Sequence, residues 1–283
     1  MKKISIILFL FLIETLSSKA ADFNTFDLTT VDSWQELPAS PAQWKSNTNY
    51  KVTSRVVVNT DGNMPSGSQI GVISNGSLTI NNANLTVGED VAIYVAGGTL
   101  AINNSSLKTG SNFILNEGEL GNISLNNSSV LMGNNSILTI NGKYIKGSKS
   151  SIKGNSTTLV ASIKRIFDEN ISIDGTWVVE RAFPQWFKDE KNPNWAIAIN
   201  KAIKMKGTGE VFLPRGEYPI STSIYVNFGI KLTGDPGREK SGINSSSTDI
   251  VPLSNANNNF NGGYMMLVNV KHEDSKGNVL NVD

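Results

Sequence analysis

The chain has 283 residues, with 25 basic and 24 acidic side chains, a single histidine and no cysteine. That excludes disulfides, thiolate zinc sites, cysteine nucleophiles and any histidine cluster for a metal. Charge this close to zero offers no basic face for nucleic acid or an anionic membrane.

The N-terminus is the first readable segment. Lys2 and Lys3 precede an unbroken apolar run over residues 4–13, Glu14 ends it, and Ser18-Lys-Ala20 places small residues at a cleavage site. This reads as a secretory signal peptide over residues 1–20. A membrane anchor is the competing reading, but the run is about half of the roughly 20 apolar residues that a span needs. Cleavage after Ala20 removes Lys2, Lys3, Lys19 and Glu14, which leaves 22 basic and 23 acidic side chains and a net charge of −1. The mature chain is expected to be secreted, without membrane contact once cleaved.

Residues 21–165 are expected to form an N-terminal cap followed by solenoid turns. In the cap, Ser33-Trp-Gln-Glu-Leu37 suggests a short helical turn, and Pro38, Pro41 and Pro65 mark loops. Beyond it the sequence repeats itself. Gly76-Ser-Leu-Thr-Ile-Asn-Asn-Ala-Asn-Leu85 recurs from Gly98 to Leu107 and again from Gly121 to Val130. The equivalent apolar positions Ile80, Ile102 and Leu125 lie 22 and then 23 residues apart. Each copy alternates apolar and polar residues, the period of a half-buried strand. One such turn has almost no core, but stacked turns bury Leu78, Ile80 and Leu85 over Leu100, Ile102 and Leu107. Asn82, Asn104 and Asn127 would then align at one bend, where asparagine tolerates left-handed backbone and its amide can bond along the stack. A β-sandwich of hairpins is the alternative; it gives no reason for bends to recur at one period. Triplets such as Asn75-Gly-Ser, Asn84-Leu-Thr, Asn122-Ile-Ser and Asn155-Ser-Thr match a glycosylation acceptor, and here read as Asn/Ser-rich bends.

Residues 166–283 have another texture. Residues 171–183 read as strand, turn at Asp174-Gly175, and strand. A helix follows near residues 193–206, with Asn192 as N-cap and Pro193 at its first position. Trp195, Ala198, Ile199, Ala202 and Ile203 share one face, and Gly207 and Gly209 end it. Val211-Phe-Leu213, Ile224-Tyr-Val226 and Gly229-Ile-Lys-Leu-Thr-Gly234 come next.

The order Pro184-Gln-Trp-Phe187, Ala198-Ile199 with Ala202-Ile203, Val211-Phe-Leu-Pro-Arg-Gly-Glu-Tyr218 and Leu232-Thr-Gly234 resembles the opening segment of the pectate lyase superfamily. That superfamily includes polygalacturonase-, rhamnogalacturonase- and epimerase-like proteins and phage tailspikes. The likeness covers about residues 171–235. Two places depart from it: Lys188-Asp-Glu-Lys-Asn192 replaces a glycine-rich loop, and Asn192-Pro-Asn194 replaces Asp-Asp-Thr. The resemblance implies an all-β fold, a right-handed parallel β-helix of the pectin-lyase-like kind with one short capping helix. It places Trp195, Ile199 and Ile203 as a plug in the mouth of the coil, with Val211-Phe-Leu213 starting the first full turn. A free-standing αβ domain is the alternative.

The resemblance also implies a polysaccharide or surface glycan as partner. Lyases of this fold use carboxylates holding calcium with a basic residue as base; its hydrolases use paired aspartates. In the family those residues follow the opening segment, and only about 50 residues follow Gly234. The chain is therefore expected to be a truncated or partial form. Glu210, Glu217, Asp235, Glu239, Asp249, Glu273, Asp274 and Asp283 show no paired-carboxylate or calcium-loop spacing. Asp235-Pro-Gly-Arg238 reads as a turn. Arg215 and residues 188–191 read as solvated, and Trp177 and Trp186 as core rather than sugar platforms. His272 has no nucleophile elbow to serve. The sequence assigns no catalytic or substrate-binding residue, no metal ligand and no cofactor. Two function classes stand: a polysaccharide lyase or hydrolase represented by its N-terminal part, and a non-catalytic glycan-binding or structural β-helix.

Overall fold

The computed structural model describes residues 32–110, 114–117, 121–235, 248–253, 259–260, 265–268, 272–273 and 279–280. Gln35–Asp283 forms one compact unit. The fold is a right-handed parallel β-helix of about 8 turns with one short helix.

Three strand columns build the coil. The first runs from Gln35–Glu36 through Asn49–Val52, Gln69–Ile73, Ala92–Ala96 and Ile114–Glu117 to Ile137–Ile140. The second holds Arg55–Val58, Ser77–Asn81, Thr99–Asn103, Asn122–Asn126 and Lys146–Ser148. The third holds Gly62–Met64, Asn84–Val87, Ser106–Lys108 and Ser129–Leu131. The repeat stacks in the register its period requires: Ile80 pairs with Ile102, and Ile102 with Leu125. Their inward side chains are fully buried, as are Leu100 and Leu107 beside them.

The bends explain the Asn-Asn pairs. Asn82, Asn104 and Asn127 have φ of 52°, 47° and 47°, the left-handed region that asparagine tolerates. The Asn127 amide donates to Asn104 Oδ1 at 3.0 Å. Lys149 takes the next place in this column, with φ 48° and no amide to offer. One residue further on, a buried hydroxyl column runs inside the coil. Ser105, Ser128 and Ser150 each accept a backbone N–H from the neighbouring turn, of Ala83, Ser105 and Ser128, at 3.0, 3.2 and 3.0 Å. Each hydroxyl also donates to the carbonyl two residues before it, at 2.6–2.8 Å. Donor and acceptor are both satisfied, which is the condition for burying a hydroxyl without penalty.

The expected helical turn at residues 33–37 is instead the strand Gln35–Glu36, paired with Tyr50 and Lys51. The edge of the adjacent strand captures this segment, and tertiary pairing overrides local preference. The expected turn at Asp174-Gly175 is also replaced. Ile171–Val178 is one bent strand pairing with Ser150–Ala161, and both strands round a corner together. Gly175 has φ +81°, Ser156 has φ 54°, and a bulge lies between Gly154 and Thr157. A parallel coil turns corners where a hairpin would reverse, so the glycine bends the strand without ending it.

The helix spans Ala196–Lys206, three residues later than Pro193 suggests. The Asn192 carboxamide accepts the N–H of Asn194 at 3.0 Å, which makes a local turn, and Asn194 Oδ1 accepts the N–H of Ala196 at 3.0 Å. Asn194 therefore does the capping expected of Asn192. Ala196, Ala198, Ile199, Ala202 and Ile203 are buried, and Trp195 is partly so. The helix does not plug an outer mouth. It packs against the turn Pro184–Phe187 and Ile171–Val178, and also against Arg181–Ala182, Gly209–Leu213 and Ile224–Val226. It lies between two coils. Gly209–Leu213 is accordingly no first turn, because it pairs with Arg181–Ala182 before it as well as Ile230–Gly234 after it.

Candidate functional site

Functional side chains converge where the first coil meets the helix. The coil stacks Ile145 on Phe167 in a parallel bridge. The next layer is the turn Pro184–Phe187, whose Trp186 carbonyl accepts the N–H groups of Ile166 and Phe167, both at 3.0 Å. Phe167 and Phe187 stack inside at 5.6 Å. This layering puts Tyr144, Arg165 and Lys188 one above another on the outer surface, each from a successive turn.

Arg165 is the centre. Its guanidinium lies 4.1 Å from the centroid of Tyr144, and its Nη1 contacts Asp189 Oδ1 at 3.3 Å. Its Nη2 lies 3.8 Å from Asp168 Oδ1, and its Nε donates to the Phe167 carbonyl at 3.3 Å. Lys188 donates to the Asp189 carbonyl at 2.7 Å and sits 5.0 Å from the centroid of Trp195. Burial pushes the Lys188 ammonium below the usual lysine range, against the attraction of Asp189. Trp195 meets Tyr218 edge-on at 4.7 Å. The Tyr218 hydroxyl accepts from Gln185 Nε2 at 2.8 Å and donates to the Pro214 carbonyl at 2.6 Å, and burial raises its pKa. Gln185 Oε1 is buried without a partner among the described residues.

This arrangement offers fixed donors and acceptors within one patch: a guanidinium, an ammonium and two carboxylates, edged by aromatic rings. One face of Tyr144 and one of Trp195 are each held by a cation. The patch suits hydrogen bonding to a hydroxyl- or carboxylate-bearing ligand. Asp168 and Asp189 both face the same guanidinium.

The residues singled out from sequence fall elsewhere or take other roles. Trp177 and Trp186 are core, as expected; their indole N–H groups donate to the carbonyls of Asp174 and Ser162 at 2.8 and 2.9 Å. Arg215 is exposed, and its backbone N–H donates to Asp235 Oδ2 at 2.8 Å. Asp235 is followed by residues outside those described, so the turn at 235–238 is not seen whole; Glu239, Asp274 and Asp283 also lie outside. Glu210 pairs with Arg181 at 2.7 Å and accepts from Thr233 at 2.6 Å. The loop at 188–191 departs from the expected solvated run: Lys188 and Asp189 are half-buried and fastened to the coil, and only Glu190 and Lys191 are exposed. Among the described residues no group of three or more His, Asp or Glu side chains converges as a metal site would require, and no helix is long and apolar enough to cross a membrane.

Sequence reasoning missed Tyr144, Arg165 and Asp168. They belong to different turns, and nothing in their local sequence links them. The available signal was the turn length: Tyr144, Arg165 and Lys188 lie 21 and 23 residues apart, close to the 22–23-residue period of the visible repeat.

Comparison of the chain with known protein families, curated proteins and solved structures finds no match. The likeness to the pectate lyase superfamily thus rests on the motifs within residues 171–235.

Proposed function

We propose that this chain is a secreted carbohydrate-associated β-helix protein, the N-terminal part of a polysaccharide-degrading protein similar to pectate lyases and polygalacturonases. The observation that carries the reading is the patch of Tyr144, Arg165, Lys188, Asp189 and Trp195 on the side of the coil. It combines a planar cation, a carboxylate and ring edges across consecutive turns, an arrangement suited to an extended chain of sugars lying along the axis. The signal-like leader agrees with an extracellular partner of this kind.

A second reading, a non-catalytic glycan-binding or cell-surface β-helix, is favoured by one feature of the same patch. Asp168 and Asp189 share a single guanidinium. Glycoside hydrolysis needs two carboxyl groups on opposite sides of a bond, one acid and one base. On this reading the patch binds a glycan and cleaves no bond.

Electrophoresis through gels containing polygalacturonate, a neutral galactan or no glycan tests both readings. Retardation by polygalacturonate that weakens in Arg165→Gln and Lys188→Gln supports glycan binding at the patch. Release of unsaturated or reducing ends would favour the degrading reading, and retardation without products the second. Neither retardation nor products on either glycan would sink both.

A further inference from the structure

A parallel coil that stops leaves a row of backbone N–H and C=O groups without partners. The first coil stops at Ile171–Val178, and the layer above it is a helix, whose own backbone bonds are internal. Lysines fill the gap. Lys201 Nζ donates to the carbonyls of Glu169 and Ile171, the latter at 3.0 Å. Lys206 Nζ donates to the Val179 carbonyl at 2.9 Å, and Lys204 pairs with Asp174 at 2.8 Å.

The opposite side of the helix uses asparagines. Asn200 Nδ2 donates to the Ser223 carbonyl at 3.0 Å, and its Oδ1 accepts the Tyr225 N–H at 2.9 Å. One carboxamide thus stands in for a strand residue against Ile224–Val226. Asn194 Oδ1 accepts the Ser221 N–H at 3.1 Å. Among the described residues, no strand up to Val178 pairs with any strand from Arg181 onward. The sheet ladder breaks here, and side chains of the helix and of Asn194 just before it bond both edges, beside the Trp186 carbonyl that accepts from Ile166 and Phe167.

We infer that the helix Ala196–Lys206 is a two-sided end cap that closes both coils and lets them open separately. Lys201 is the anchor to the first coil and Asn200 the anchor to the second. In a solenoid, cooperativity passes through the interface between neighbouring turns. At this boundary the strand-on-strand ladder gives way to side-chain bonds and the backbone carbonyl of Trp186, which accepts from Ile166 and Phe167, so an opening on one side stops at the helix. The first coil is then a complete module whose end does not need the second.

Hydrogen exchange of the full chain, read peptide by peptide, tests this. Lys201→Met keeps the apolar stem and removes the donor. It is expected to speed exchange over residues 171–178 about tenfold or more, the effect of losing a charged donor to buried carbonyls, while residues 224–226 keep the wild-type rate. Asn200→Ala is expected to do the reverse. Lys201→Arg should restore slow exchange over 171–178. Should Lys201→Met fail to fold, Lys204→Ala, at an exposed position, is expected to act on the same side with a smaller effect. The inference is overturned if either variant speeds both coils together, or if neither changes the coil it anchors.

Discussion

The two coils follow different rules. In the first, partner residues such as Ser77 and Thr99, Leu100 and Ile123, or Ser129 and Ser151 are 22 or 23 residues apart. In the second, Glu210 pairs with Lys231, Gly216 with Thr248 and Ile224 with Met266, so the spacing varies from 21 to 32 to 42 residues. Equal turns put like residues over like, which creates the asparagine and serine columns. Unequal turns lose that stacking and give the chain excursions, the segments on which binding residues are usually carried.

The largest expected effect comes from breaking the boundary between the coils. Trp186 is 3% exposed and its indole N–H satisfies the Ser162 carbonyl. Trp186→Ala is expected to cost about 3–5 kcal/mol in denaturant unfolding, with no comparable loss for Ile163→Ala at a half-exposed position. Next is the hydroxyl column. Ser128 accepts the Ser105 N–H and donates to the Asn126 carbonyl. Ser128→Ala leaves that buried N–H unpaired and should cost about 1–3 kcal/mol, whereas Ser129→Ala, one residue away and exposed, should be near neutral.

Acid and alkali should both act on the side of the helix that faces the first coil. Hydrogen bonds from Lys204 and Ser172 hold the Asp174 carboxyl below its usual range. Its contribution is present above the ordinary carboxylate pKa and is lost as pH falls through the lowered value. Burial holds the Lys201 ammonium below its usual 10.5. Its unfolded form binds more protons in the window beneath 10.5, so stability rises with pH there. Unfolding followed against pH should show that alkaline rise in the wild type and a smaller one in Lys201→Met, where, among the described lysines, only Lys188 remains lowered by burial. The smallest change is a gain. Lys149 holds the left-handed position that Asn127 and Asn104 hold before it. Lys149→Asn is expected to add up to about 1 kcal/mol by easing the backbone and extending the amide column; a loss of stability would show that the column is not cooperative.

The first coil was legible because its signal is repetition. Ile80, Ile102 and Leu125 announce their register directly, and the Asn-Asn pairs locate the bend. The serine column was present in the same strings, but only the side on which each residue points makes it a ladder. The boundary was less legible. Pro193 suggested where the helix begins, yet the capping oxygen belongs to Asn194, which also binds Ser221 from a later turn. Asp174-Gly175 carries the composition of a reversal and serves as a corner, since the neighbouring strand bends with it. The Arg165 patch was hidden for a similar reason: Tyr144, Arg165 and Asp189 meet only after the turn length is known, and no local motif marks them.

The central claim is that the ladder-held first coil and the second coil are separate cooperative units joined by one helix. Native-state hydrogen exchange of the wild-type chain in rising denaturant measures this most directly. The account predicts that Ser77–Asn81, Thr99–Asn103 and Asn122–Asn126 share one high opening free energy, and that Gly209–Leu213 and Ile224–Val226 open together at a lower one. A single opening free energy and a single denaturant dependence across both sets of strands would contradict it.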